Sequence, residues 1–383
     1  MNNCRICGSL LGEPVYSSGG PSISSVRTVI DVPLSAFLCP ECSHTQKPAL
    51  QNSADYYDKR YRISLTSKDF DQVYDVVDGK CIYRTDYQSE VILKTTSIAA
   101  GSKVLDYGAG KASTLKKITA ARPDIVPYVF DVSEDYMESW GEFLPKDRQA
   151  AYQIPESWNS TFSLVTAHFV LEHAEDPCEV LSNISQLLSP DGTLFFSVPN
   201  LLSNPGDLLA VDHVNHYSFD SINVALARAN LTLVSVDENI FRGAIICVAK
   251  RKASPTADTR RDGGKCKDEI ERIAVFWSRF DRLLEEAASL YTNVPSAIYG
   301  AGLYGTYIAS KIAGRVSCEC FLDKSPHLIG GEHMGLPIKA PCDLPSNIRV
   351  MYAGLNPNIA RSALDLYKTR GIENIIYFDD GES

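Results

Sequence analysis

The sequence predicts an α/β protein built on a doubly wound sheet, and three observations predict it. Between residues 103 and 250, apolar strand-like runs alternate with helix-like segments. "VLDYGAGKAS" (104–113) is an apolar run that ends in Asp106 and turns through Gly108 and Gly110 toward a helix starting near Ser113. Beyond residue 268 a second α/β stretch contains "SAIYGAGLYGTYIASKI", again a strand, a glycine turn and a helix.

The glycine turn sets the first functional question. Glycines let a backbone approach a ligand closely, and the following helix points its amides at the same place. A carboxylate accepts hydrogen bonds and repels phosphate, so Asp106 would hold an ammonium, directly or through water. That combination suits the zwitterionic end of an amino acid better than a pyrophosphate.

Composition bounds the remainder. A chain of 383 residues suggests two or three domains. Its apolar share of 44% and charged share of 22% are those of an ordinary soluble globular protein. A formal net charge of −10 argues against broad nucleic-acid or anionic-membrane binding. The start, "MNNCRICGSL", has no apolar signal core, and no run is long enough to span a bilayer. The 11 cysteines then read as reduced thiols and metal ligands. A cytoplasmic protein with no nucleic-acid and no membrane partner is expected.

Four pieces follow along the chain. Residues 1–55 carry Cys4, Cys7, Cys39 and Cys42 as two C-x-x-C pairs, the spacing that offers four thiolates to one tetrahedral Zn²⁺. Four sulfur ligands leave no open coordination position, so such a zinc is structural. His44, beside Cys42, reads as a neighbour of that site and not as a ligand. Residues 56–252 form the second piece, with strands expected at "KVLDYG", "VPYVFDV", "FSLVTAH", "GTLFFSVPN", "LTLVSVDEN" and "GAIICVAKRK". The last two, separated by a short turn, would close a parallel sheet with an antiparallel hairpin. Residues 253–267, polar and rich in turn formers, read as a linker. Residues 268–383 open with a helix over "EIERIAVFWSRFDRLLEEAASLY" and continue as a second, nucleotide-binding-like α/β domain.

"VLDYGAGKAS" resembles the first motif, D/E-x-G-x-G, of class I S-adenosylmethionine-dependent methyltransferases. "YVFDVS" resembles their second motif, whose acid, here Asp131, accepts hydrogen bonds from both ribose hydroxyls; two carboxylate oxygens match a vicinal diol. "FSLVTAHFVLEHAEDP" and "LLSPDGTLFFSVPN" are similar to the family's fourth strand and the turn into its fifth, and the hairpin ending fits as well. The resemblance places Asp106, Gly108, Ala109, Gly110, Asp131, Val132 and His168 at the cofactor.

A cysteine module before this domain and an α/β domain after it resemble the sugar C-methyltransferases, which methylate a keto-carbon position of nucleotide-linked deoxysugars. "VDHVNHYS" (211–218) looks like that family's E-H-x-x-Y-F-S segment, with Asp212 for the acid and His213 for the histidine. "VLEH" matches a second segment and puts His173 on the site wall. "CECFLDKSPHLIGGEHMGLPI" and "YAGLNPNIA" resemble C-terminal motifs. The family's tyrosine- and serine-rich stretch is hinted at by "DYYDKRYRISLTS"; Glu172 is bulkier than the usual residue, and His216 replaces an aromatic. The implied chemistry removes a proton beside a carbonyl, giving an enolate that attacks the sulfonium methyl. Histidine titrates near neutral pH and suits that task. His213, oriented by Asp212, is the expected base; His216, Tyr217 and His173 would hold the enolate oxygen or the sugar.

Other readings stay open. An O- or N-methyltransferase of a sugar or another small metabolite would keep the cofactor site without an enolate. "IYGAGLYG" supplies Gly300, Gly302 and Gly305 as G-x-G-x-x-G, with Asp323 at the distance expected of a dinucleotide-binding oxidoreductase. The C-terminal domain would then bind a substrate nucleotide, a dinucleotide or nothing. A zinc-ribbon nucleic-acid binder is disfavoured by the acidic charge and the scarcity of clustered Lys and Arg near the cysteines.

Overall fold

A computed structural model describes residues 2–50, 71, 73–77, 80–251 and 264–379. The tyrosine-rich stretch 55–67 and most of the expected linker lie outside the described residues. The chain divides into two compact units that interleave in sequence: Met1–Gly12, Leu38–Asn204 and Val214–Cys266 form one, and Glu13–Phe37, Pro205–His213 and Lys267–Ser383 form the other. Residues 1–55, expected as one module, are therefore shared out, with both cysteine pairs in the first unit. The reason is packing: Cys4, Ile6, Cys39 and Cys42 belong to the same buried cluster as Leu181, Tyr217 and Ile222.

The main sheet of the first unit consists of β1 (Lys103–Tyr107), β2 (Val126–Asp131), β3 (Gln149–Ala151), β4 (Phe162–His168), β5 (Leu188–Pro199), β6 (Leu231–Asp237) and β7 (Ala244–Arg251). Their order among the described residues is β3-β2-β1-β4-β5-β7-β6. Neighbours from β3 to β5 run parallel, and β7 is antiparallel to both β5 and β6. The hairpin ending is thus present, with the last strand inserted inside the sheet. Leu105, Val165, Phe196 and Cys247 face one buried layer, and Val104, Leu164, Phe195 and Ile246 face the other. Burial on both faces explains why the central strands read as unbroken apolar runs. β3 escapes the sequence reading, since its three residues show no periodicity.

Helices α1 (Arg84–Thr95), α2 (Ser113–Ala121), α3 (Pro177–Leu187) and α4 (Phe219–Arg228) accompany this sheet. α3 starts where Asp176 accepts from the Glu179 amide at 2.9 Å, with Pro177 in the first turn. α4 starts with a capping box between Ser218 and Ser221.

The second unit holds α5 (Lys265–Leu290), which buries Ile270, Ala274, Trp277, Phe280 and Leu284 along one face. Its sheet consists of β8 (Ser296–Tyr299), β9 (Cys318–Leu322), β10 (Glu332–His333), β11 (Leu336–Lys339), β12 (Val350–Ala353) and β13 (Asn374–Ile376). The order is β10-β11-β9-β8-β12-β13, parallel except for β10 against β11. Helix α6 (Leu303–Ile312) follows β8 through the glycine turn. A short antiparallel pair, Tyr16–Ser18 with Leu34–Ala36, belongs to the same unit.

Candidate active site

The turn after β1 sits where the sheet's carboxyl ends open. Gly108 has a φ of +71°, and a Cβ there would lie 2.5 Å from a methyl of Val170. Both facts demand glycine. At Gly110 a Cβ would meet nothing within 4 Å, so that edge of the backbone is open to a ligand. Ala109 donates its amide to the Phe130 carbonyl at 3.0 Å and ties the turn to the end of β2.

Asp131 is buried at the tip of β2, accepting from the Gly110 amide at 2.8 Å through Oδ2 and from the Ser133 amide at 3.2 Å through Oδ1. Each carboxylate oxygen has a second lone pair, so the group retains acceptor capacity for a diol. Burial raises its pKa, opposed by those amides. Val132, next to it, is 54% exposed, an apolar surface beside the acid. Asp106 is buried and accepts from the Thr166 hydroxyl at 2.8 Å. Burial pushes its carboxyl up to about 7, partly offset by Thr166, with Asp131 adding to the rise. His168, at the end of β4, pairs through Nδ1 with the Ser197 hydroxyl at 3.2 Å. Burial first, and then the Arg84 charge, pulls its pKa down to about 3, so the ring is neutral at physiological pH. The buried acids and the open backbone of this turn fit a cofactor with the polar groups of S-adenosylmethionine.

The expected catalytic residues divide between the units. In the second, His213 Nδ1 lies 2.8 Å from Asp207 Oδ1, and both side chains are buried. The acid paired with this ring is Asp207, where the sequence pointed to Asp212. The Asp212 carboxylate accepts from the Ser25 amide and the Ser25 hydroxyl, each at 2.7 Å, and so fastens segment 205–213 to the turn before Arg27. The same segment is held by Trp277, which donates to the Pro205 carbonyl at 2.8 Å, and by the Val211 amide on the Ile23 carbonyl at 2.8 Å.

In the first unit His216 pairs with Thr45 in a two-residue antiparallel bridge and is buried. Tyr217 donates its hydroxyl to the Leu171 carbonyl at 2.9 Å. Its one proton is committed to that carbonyl, where the sequence expected a contact with the enolate oxygen or the sugar. His173, half-buried, bonds through its amide to the Val170 carbonyl at 3.1 Å, and Glu172 is fully buried beside it.

Cys4, Cys7, Cys39 and Cys42 converge in the first unit. Cys4 Sγ lies 3.7 Å from Cys42 Sγ, Cys7 Sγ lies 3.4 Å from Cys39 Sγ, and all four sulfurs are within 4.8 Å of one another. Thiolates about 2.3 Å from a tetrahedral Zn²⁺ would sit ~3.8 Å apart, so the arrangement fits that ion. The two pairs are built alike. The Gly8 amide donates to the Cys4 carbonyl at 2.9 Å and the Ser43 amide to the Cys39 carbonyl at 3.1 Å; the Cys4 and Cys39 amides donate to the Ser9 and His44 carbonyls, each at 2.8 Å. His44 stands outside the sulfur cluster, with Nε2 3.2 Å from the Asn215 side-chain oxygen. Arg5, which the sequence reading passed over, donates to the Lys47 and Val214 carbonyls at 2.8 and 3.0 Å. Ser218, the α4 cap, donates to the Cys42 carbonyl at 2.7 Å.

The second glycine turn follows β8. Asp323, just past β9, accepts from the Ala301 amide at 2.8 Å. A Cβ at Gly305 would lie 1.9 Å from the Gly300 carbonyl oxygen, so the close seat of α6 on β8 requires that glycine whatever is bound.

Residues 83–236 match the family model described as "Methyltransferase domain". Over 108 residues the chain is 32% identical to a ubiquinone biosynthesis O-methyltransferase of Methylococcus capsulatus, covering 26% of this chain and 45% of that protein. Over 106 residues it is 27% identical to the enzyme of the same name from Aromatoleum aromaticum, covering 26% and 45%. The chain thus spans a little under half the length of these curated relatives. An S-adenosylmethionine dependent methyltransferase structure from Mesorhizobium loti aligns at 16% identity over 43% of this chain and 98% of that one, with a TM-score of 0.35, too slight a likeness to bear on function. The first unit contains a class I, S-adenosylmethionine-dependent methyltransferase domain. No helix among the described residues is long and apolar enough to cross a membrane.

Proposed function

We propose that the protein is a cytoplasmic S-adenosylmethionine-dependent methyltransferase that methylates a carbon of a nucleotide-linked keto-deoxysugar, with a structural zinc on Cys4, Cys7, Cys39 and Cys42. The observation that carries the carbon chemistry is the buried His213–Asp207 pair, an imidazole with a fixed acceptor on one nitrogen. Bound S-adenosylmethionine supplies an electrophilic methyl on a sulfonium. Asp131 would hold the ribose of the bound cofactor, the Gly108–Gly110 turn and Asp106 would hold its amino-acid end, and the proton beside the sugar's carbonyl would go to His213. The C–H pair would become the enolate's C=C bond as the carbonyl π pair moves to oxygen; as the carbonyl re-forms, that carbon pair would take the methyl, and the pair of the C–S bond would stay on sulfur. The names of the matched relatives favour a second reading, O-methylation, in which no proton on carbon is lost. Incubation with ¹³C-methyl cofactor and a panel of keto-sugar nucleotides separates the two: a carbon-bound methyl in the product NMR spectrum supports the proposal, and an oxygen-bound methyl selects the alternative.

Two outcomes are expected at the cofactor. Asp131→Ala should weaken S-adenosylhomocysteine binding by about 1 to 3 kcal/mol, the cost of leaving buried hydroxyls without an acceptor. Gly108→Val should weaken it further, through the positive φ and the Val170 clash. Calorimetric affinities equal to wild type in both variants would remove this turn from the site.

The raised Asp106 pKa gives a pH signature. An acid that must be charged to hold an ammonium works above its pKa, so affinity should fall as pH drops through about 7. Asp106→Asn should bind more weakly and lose that dependence. A wild-type affinity flat between pH 6 and about 8 would contradict the assignment.

A further inference from the structure

We propose that Asp207 is the positioning residue of the reaction, fixing His213 as the tautomer protonated at Nδ1 so that Nε2 is the nitrogen that takes the proton. The inference rests on the reading of His213 as base, and it replaces Asp212 in the role that sequence proximity gave it. An ionised carboxylate only accepts hydrogen bonds. At 2.8 Å from Asp207 Oδ1, His213 Nδ1 must therefore carry the hydrogen, which leaves the lone pair of the neutral ring on Nε2.

The local fold supplies the geometry. Pro205–Leu209 is a short 3-10 turn, the Ala210 amide closes on the Asp207 carbonyl at 3.1 Å, and the His213 amide closes on the Ala210 carbonyl at 3.0 Å. Two successive turns thus return the chain so that residues six apart in "DLLAVDH" meet, while Asp212 turns toward Ser25. Trp277 and Ile23 anchor the segment through its backbone, so the pair does not depend on the Asp207 carboxylate to hold its place.

When Nε2 accepts the proton, the ring becomes a cation hydrogen-bonded to Asp207. The carboxylate stabilises that cation, so its removal lowers the ring's pKa and its basicity together. Asp207→Asn also permits the other tautomer, because an amide can donate to Nδ1.

The first test is made on the wild-type protein with ¹⁵N-labelled histidine, the His213 signals being assigned by their loss in His213→Asn. A protonated Nδ1 and a bare Nε2 at a pH where the ring is neutral support the proposal; the reverse tautomer overturns it. The second is the pH profile of hydrogen exchange between the keto sugar and D₂O. Asp207→Asn is expected to exchange roughly 100-fold more slowly or worse, with its acid limb moved to lower pH, and Asp207→Glu to recover part of the rate. An acid limb unchanged in Asp207→Asn, with melting temperature and S-adenosylhomocysteine affinity intact, overturns the proposal. Asp212→Asn should leave the acid limb where wild type has it; a shift there gives the role back to Asp212. Absence of exchange in the wild type counts against carbon methylation itself, and the tautomer measurement then decides the Asp207 assignment alone.

Discussion

His213→Asn is expected to bind S-adenosylhomocysteine and the nucleotide sugar as wild type does and to lose turnover by about 100-fold or more. The loss arises from chemistry at a single nitrogen. The asparagine amide can still hydrogen-bond to Asp207, so segment 205–213 keeps its anchors at Trp277 and Ile23. What it lacks is a nitrogen lone pair that takes a proton near neutral pH. An effect on kcat with KM and cofactor affinity unchanged places the loss in the chemical step. Normal turnover in the variant would move the base to His216 or His173.

Purified protein is expected to contain one zinc per chain, and Cys39→Ser to lose it together with stability on the order of 10 °C in melting temperature. The effect reaches beyond the metal because the sulfurs lie inside the core of the methyltransferase unit. Cys39 and Cys42 are buried, Arg228 donates to the Ile6 carbonyl at 2.6 Å, and Ser218 ties Cys42 to the start of α4. A folded, active preparation with far less than one equivalent of zinc would contradict this.

Much of this was legible in the sequence because the relevant signals are local. Leu105 and Val104 pack on opposite faces of one strand, and that double burial writes an apolar run into the chain. The turn from Asp106 to Gly110 declares itself because its conformation excludes other residues at Gly108. The cysteine pairs are visible as spacing, and the structure brings all four sulfurs together. Long-range partnerships were not legible. The acid beside His213 in sequence is Asp212, yet its carboxylate is taken up by Ser25, and a 3-10 turn delivers Asp207 instead. Arg5 lay within a cysteine pair and read as a spacer, although its guanidinium fastens that pair to residues more than 200 positions away. Tyr217 matched a site motif, and only its contact with the Leu171 carbonyl reveals where its proton goes. The interleaving of the two units is likewise a matter of long-range contact, which no local pattern in the sequence records.

The most direct test of enolate chemistry is NMR of a keto-sugar nucleotide in D₂O with the enzyme and S-adenosylhomocysteine, which blocks methyl transfer and leaves proton removal to be seen alone. Wild type is expected to exchange the hydrogen beside the carbonyl, and His213→Asn is not. Absence of exchange with wild type, alongside methylation of a hydroxyl when S-adenosylmethionine is supplied, would contradict enolate chemistry.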